Sequence, residues 1–247
     1  MKKIFIGSLL SSSLLFGALS DAEILQVFEG SSNELKYTID SRKNLPNTNF
    51  EEIKIKMSDG ENSAYIALYS DGVYIFPDVI DIKNKISYLA NFENAQAKIA
   101  IENSTKNLGE LIKSMPKDSI ISIGNDKNKE TKYLFTDPDC PYCRQDLELI
   151  EAKLKNANLK IILAPVSNHG IPAIKKSIAI LNEAKSAKND AAKIRILRKY
   201  FAPNAKEPKM ISQEEIDKFK AQVDKIFTTG AVRGVPMIID AKTLGLS

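Results

Sequence analysis

The sequence predicts an α+β chain in which a small β-rich unit and a larger α/β unit are joined by a helix, and three patterns carry that prediction. Residues 23–83 alternate apolar and polar positions, as half-buried strands do. Residues 84–116 reach Pro116 with no earlier proline and with apolar positions at helical spacing. From 117 to 247, short β-rich runs alternate with helical ones.

The N-terminal 22 residues, "MKKIFIGSLLSSSLLFGALSDA", place Lys2 and Lys3 before an apolar stretch diluted by Ser11, Ser12 and Ser13, then small residues at Ala18 and Ser20. That is the order of a secretory signal peptide, with cleavage expected after Ser20 or Ala22. The run from Ile4 to Leu19 falls short of the ~20 apolar residues of a membrane span. The mature chain is therefore expected to be exported, into a compartment where thiols can become disulfides. Its formal charge of +4 loses two lysines with the leader, and acids and bases are interspersed, so nucleic acid is not an expected partner. A hydrophobic content of 43% suits a chain with a core of its own.

In residues 23–83, "EEIKIKM" sets Ile53, Ile55 and Met57 on one face, and "SAYIALYSDGVYIF" reads as two strands joined at Ser70, Asp71 and Gly72. Residues 84–116 carry Ile86, Leu89, Phe92, Ala95, Ile99 and Ile101 as the apolar side of a connecting helix of up to ~45 Å. Residues 117–247 begin with the strand-like "SIISIG" and "KYLFTD". A helix over "CRQDLELIEAKLKNA" then buries Leu147, Ile150 and Leu154, and "LKIILAPV" returns as a strand. Mainly helical sequence follows from Pro172 to Phe227, and "GVPMIID" closes the order as a strand.

Both cysteines of the chain, Cys140 and Cys143, lie between the "KYLFTD" strand and the next helix, with only Pro141 and Tyr142 between them. A ring so small removes little chain entropy, so the pair is a poor staple. Structural zinc needs four ligands, and the chain offers two cysteines and the single His169. Haem attachment needs a histidine after the second cysteine, where Arg144 stands. A redox pair remains. At a helix N-terminus the macrodipole favours a thiolate at Cys140, and Pro141 suits the first helical turn. The expected division is an exposed Cys140 that attacks and a buried Cys143 that resolves. Asp137 and Asp139 flank the pair. Each reads as a proton acceptor for Cys143 or as a turn or cap residue, with Asp139 the stronger N-cap candidate. His169 reads as a loop residue. A cis peptide at Val235-Pro236 would leave Val235 backbone groups free for an extended substrate.

With "FTDPDCPYC", a helical insertion, a proline strand at "GVPMIID" and an N-terminal "YSDGVYIFPDVIDI", the chain resembles the periplasmic thiol:disulfide interchange proteins of the Dsb C and Dsb G type, in the thioredoxin superfamily. The resemblance implies a signal peptide over 1–22, an N-terminal dimerisation domain over 23–83, a linker helix over 84–116 and a thioredoxin-like domain over 117–247. It also implies a V-shaped homodimer with an open apolar cleft and no bound cofactor or metal. Cys140 is implied as nucleophile and Cys143 as resolving thiol, with Pro141, Tyr142, Val235 and Pro236 contacting substrate.

Two departures stand out. The residue before the expected cis-proline is threonine in the Dsb C and Dsb G type, and here it is Val235, as in the oxidase Dsb A. After "MIID" only "AKTLGLS" follows, which leaves an expected open sheet edge. The function expected is disulfide isomerisation or formation in unfolded or misdisulfided secreted proteins, with a membrane redox partner that resets the site. The alternatives are a chaperone-like binding protein for unfolded clients and a dithiol reductase.

Overall fold

Alternation in the first zone becomes an antiparallel sheet because each strand buries one face. The computed structural model describes residues 19–28, 30 and 34–246; most of the expected leader, residues 1–18, lies outside the described residues. The chain divides into two compact units, Met1–Lys98 and Ile99–Ser247, with the division inside a helix.

The first unit opens with α1 (Asp21–Leu25), where Ser20 and Glu23 form a capping box. Leu19 to Ala22 of the expected leader thus belong to this folded unit. Four strands follow in spatial order: β1 (Lys36–Asn44), β2 (Glu51–Ser58), β3 (Ser63–Ser70) and β4 (Ile75–Phe76). Ile53 and Ile55 of β2 are fully buried, together with Ile24 of α1. β1 was not among the expected strands. Only Tyr37 and Ile39 give it an apolar alternation, and its register shifts between Ile39 and Ser41. The turn after β3 is held by Asp71, whose side chain accepts from the N–H groups of Val73 (3.0 Å) and Tyr74 (2.8 Å).

A short pair, β5 (Ile80–Asp81) and β6 (Ile86–Ser87), leads into α2 (Tyr88–Ser114). Ser87 begins that helix by accepting from the Ala90 N–H at 3.0 Å, and Asp78 accepts from Leu89 at 2.9 Å. Ile99 and Ile101, expected on the apolar side, are 49% and 52% exposed. The buried side of the later turns is instead carried by Leu108 and Ile112.

The second unit is built on a sheet in the order β10-β8-β9-β7, comprising β7 (Ile121–Ile123), β8 (Glu130–Thr136), β9 (Ala157–Leu163) and β10 (Met237–Asp240). β8 and β9 run parallel, while β10 on β8 and β7 on β9 are antiparallel. The parallel crossover is made by α3 (Pro141–Glu148) and α4 (Ile150–Asn156). The single helix expected there is broken at Leu149, which leaves helical geometry at ψ 11° and has its side chain in solvent. The insertion consists of α5 (Gly170–Ala184), α6 (Asp190–Phe201) and α7 (Gln213–Thr228).

Strand periodicity divides the core between the two faces of the sheet. Leu134 and Ile161 pack with α3 and α5–α7. Tyr133, Phe135 and Ile162 pack with Leu108, Ile112 and Leu244. Beyond β10, Leu244 is buried, and a side chain at Gly109 would come within 2.0 Å of the Leu244 carbonyl oxygen. Gly109 is therefore what lets the closing turn lie on α2. Among the described residues β10 is an edge strand, with Ile238 39% exposed.

Candidate active site

Strand β8 ends at Thr136, and the chain turns through Asp137, Pro138 and Asp139 into α3. The turn is closed by the Cys140 N–H donating to the Asp137 carbonyl at 3.2 Å, and the Arg144 N–H donates to the Cys140 carbonyl at 3.0 Å. Cys140 is the N-cap of α3 and Pro141 its first residue. This corrects the expectation that Asp139 caps the helix. The extended backbone of Cys140 takes the cap position, and the Asp139 side chain is engaged elsewhere.

Both cysteines are free thiols, and both are buried. Cys143 is fully enclosed, while Cys140 keeps 5% of its surface. The expected exposed Cys140 is therefore corrected in degree. The chain carrying Val235 closes over it, and the Cys140 thiol donates to the Val235 carbonyl at 3.7 Å. The peptide between Val235 and Pro236 is cis. The structure thus joins two stretches 95 residues apart, and the Val235 carbonyl that was expected to be free is engaged by the thiol. Tyr142, between the cysteines, points outward and is 70% exposed.

Burial pushes the Cys143 thiol well above the usual thiol range. The hydroxyl of Thr136 and the backbone N–H of Asp137 are aimed at its sulfur and pull the other way, and the neighbouring Cys140 adds to the rise. Burial thus favours the protonated form of Cys143.

The acids beside the pair are both engaged. Asp137 is fully buried and accepts from the N–H groups of Asp139 (2.8 Å) and Val166 (2.9 Å). His169 Nδ1 lies 2.7 Å from its second oxygen. Asp139 is paired with Lys176 of α5 at 2.5 Å. His169, read from sequence as a loop residue, sits in a single helical turn just before α5 and closes on the site. Lys176 was missed altogether. The signal for it was periodic: Ala173, Lys176, Ser177 and Ile180 share one stripe of α5 at helical spacing, and all four are buried. A lysine on a buried stripe needs a partner.

Beside the His169 turn runs a groove of ≈ 480 Å³ whose lining includes Pro165, Ile171, Ile174, Val223, Phe227 and Arg233. Among the described residues no group of three or more His, Cys, Asp or Glu side chains could hold a metal ion.

No family model matches the chain, and no curated protein matches it. Solved structures do. The DsbG structure from Helicobacter pylori superimposes with a TM-score of 0.54 at 21% identity, covering 88% of this chain and 98% of that one. A thiol-disulfide exchange protein from Wolbachia pipientis, α-DsbA2, covers 59% of this chain and 87% of its own at 14% identity, with a TM-score of 0.42. A linker-deleted ScsC from Proteus mirabilis covers 62% and 79% at 17% identity, with a TM-score of 0.41. The fold assignment rests on the first of these. An N-terminal antiparallel sheet, a long helix and a parallel-stranded unit with a helical insertion are shared over most of both chains. Over most of its length, the chain has the fold of that DsbG structure.

Proposed function

We propose that the chain is a periplasmic thiol:disulfide oxidoreductase that reshuffles or forms disulfides in other exported proteins through Cys140 and Cys143. The observation that carries this reading is the Cys140 thiol on the Val235 carbonyl, at the cis bond to Pro236. That contact sets a stretch of backbone beside the sulfur, where an extended client that displaces the thiol from the carbonyl would present its own sulfur.

In the reaction, the Cys140 thiolate attacks one sulfur of a client disulfide. A mixed disulfide forms and the other client sulfur leaves as a thiolate. If that thiolate attacks another disulfide of the client, the thiolate freed there attacks the client sulfur held by Cys140, Cys140 leaves as the thiolate, and the bond has been moved. If Cys143 loses its proton and attacks Cys140, the client is released reduced and Cys140–Cys143 is left as a disulfide. Run in reverse, the same steps give a client its disulfide. Burial of Cys143 favours the first branch, because a thiol held protonated resolves slowly and lengthens the life of the mixed disulfide. Tyr142 and Pro141, at the mouth of the pair, and Val235 and Pro236, across from it, are the client contacts in this reading. A homodimer and a membrane partner that resets the pair belong to the same reading.

Scrambled ribonuclease in a glutathione buffer tests it. Recovery of ribonuclease activity is expected well above the buffer alone, and Cys140→Ser is expected to abolish the gain. Equal recovery by the Cys140→Ser variant would overturn the reading.

A further inference from the structure

Asp139 is the residue immediately before Cys140, and a bare carboxylate there opposes ionisation of the thiol. Its partner Lys176 comes from a different element, α5, and is held in the buried face of that helix with its side chain only 9% exposed. The side chain donates to the Asp139 carboxylate at 2.5 Å. Its neighbour Lys175 follows the ordinary surface pattern and reaches Glu207 on the outside. Lys176 has been brought inward to one acid, and that acid immediately precedes Cys140 in the chain.

We propose that Lys176 is a positioning residue for the exchange reaction. It cancels the charge of Asp139 and so sets how readily Cys140 becomes the thiolate that attacks a client disulfide. This rests on the exchange reading above. The attack itself is charge-neutral overall: the Cys140 thiolate gains a bond to one client sulfur, and the other client sulfur carries the electron pair away. What Lys176 changes is the share of Cys140 that is thiolate beforehand. The other charged groups around the pair are already occupied. Asp137 is on His169, and the Arg144 guanidinium donates to the Phe201 carbonyl at 2.6 Å.

A sign test separates this role from a merely structural one. Lys176→Met keeps the length of the side chain and leaves Asp139 uncompensated. Asp139→Asn leaves Lys176 uncompensated. The double variant removes both charges. The readout is the equilibrium constant between protein dithiol and glutathione disulfide, with thiolate absorbance at 240 nm as a second measure. Stabilising the thiolate stabilises the reduced protein and makes its disulfide more oxidising. Lys176→Met is therefore expected to shift the equilibrium toward the protein disulfide by about tenfold. Asp139→Asn is expected to shift it by a similar factor the other way, and the double variant to return within about twofold of the native value. Should Lys176→Met fail to fold, Asp139→Asn must still move the equilibrium in its stated direction. Two single variants that move together, or a double variant that does not return, would overturn the proposal. A native chain that forms no disulfide in glutathione would overturn the exchange reading itself. A native chain that exchanges while the variants stay put removes only the role of Lys176.

Discussion

In the first unit Asp59, Asp71 and Asp81 lie at the surface and hold turns by accepting backbone N–H groups two or three residues on, whereas in the second unit Asp137 is fully buried and Asp139 is locked to Lys176. The turn acids are satisfied by the chain that immediately follows them, so any solvent-exposed turn with the right spacing can use one. Asp137 also holds its own turn through the Asp139 N–H, but the acids beside Cys140 take their further partners from far away in sequence, Val166, His169 and Lys176. A local acid shapes a turn. An acid with remote partners ties elements together.

The sharpest way to break this comparison is to remove one acid of each kind. Asp137→Ala strips acceptors from two backbone N–H groups and from His169 in a buried place. Urea unfolding is expected to show a loss of roughly 3 kcal/mol. Asp71→Ala leaves its two N–H groups to water, and its midpoint is expected to stay near native. Comparable losses in the two variants would mean that burial and remote partners do not distinguish these acids.

A smaller effect comes from pH, and the turn acids and Cys143 respond at opposite ends of the scale. Backbone N–H bonds from Tyr74 and Val73 hold Asp71 below the usual carboxylate range, and bonds from Asn62 and Glu61 do the same for Asp59. At Asp78 burial pushes the carboxyl up, but the Leu89 N–H and the Ser87 hydroxyl outweigh it and the net direction is down. A group lowered on folding contributes stability above its unfolded value and loses it as pH falls through the folded value, so this contribution fades below about pH 4. Cys143 is raised on folding. Its contribution is complete below the unfolded thiol value of about 8.5 and is lost as pH rises beyond it. Melting of the reduced chain between pH 2 and 10 should therefore lose stability at both ends. In Cys143→Ser the alkaline fall should shrink while the acid fall is unchanged. An alkaline fall that survives that substitution would contradict the assignment.

The same contrast governs what could be read from the sequence. Ile53 and Ile55 announce a buried strand face by alternation, and Asp71 before Gly72 announces a turn, because both signals lie within a few residues. The cysteine pair at a strand-to-helix junction and the proline strand at Val235-Pro236 were legible for the same reason. β1 was not, since with two apolar residues it is held by pairing with β2 more than by a pattern of its own. Asp139 was misread as a cap because its partner is 37 residues away, and the pairing of His169 with Asp137 was out of reach because the two lie 32 residues apart. Periodicity reports which side chains turn inward. It does not report which of them meet.

The central claim is an asymmetric pair in which Cys140 attacks and Cys143 resolves. Incubating Cys143→Ser with scrambled ribonuclease and quenching with acid tests it most directly, because a variant without the resolving thiol should accumulate the covalent intermediate. The account predicts a stable mixed disulfide that mass spectrometry of the digest locates at Cys140, and no adduct from Cys140→Ser. An adduct at Cys143 in the Cys140→Ser variant, or no adduct in either, would contradict it.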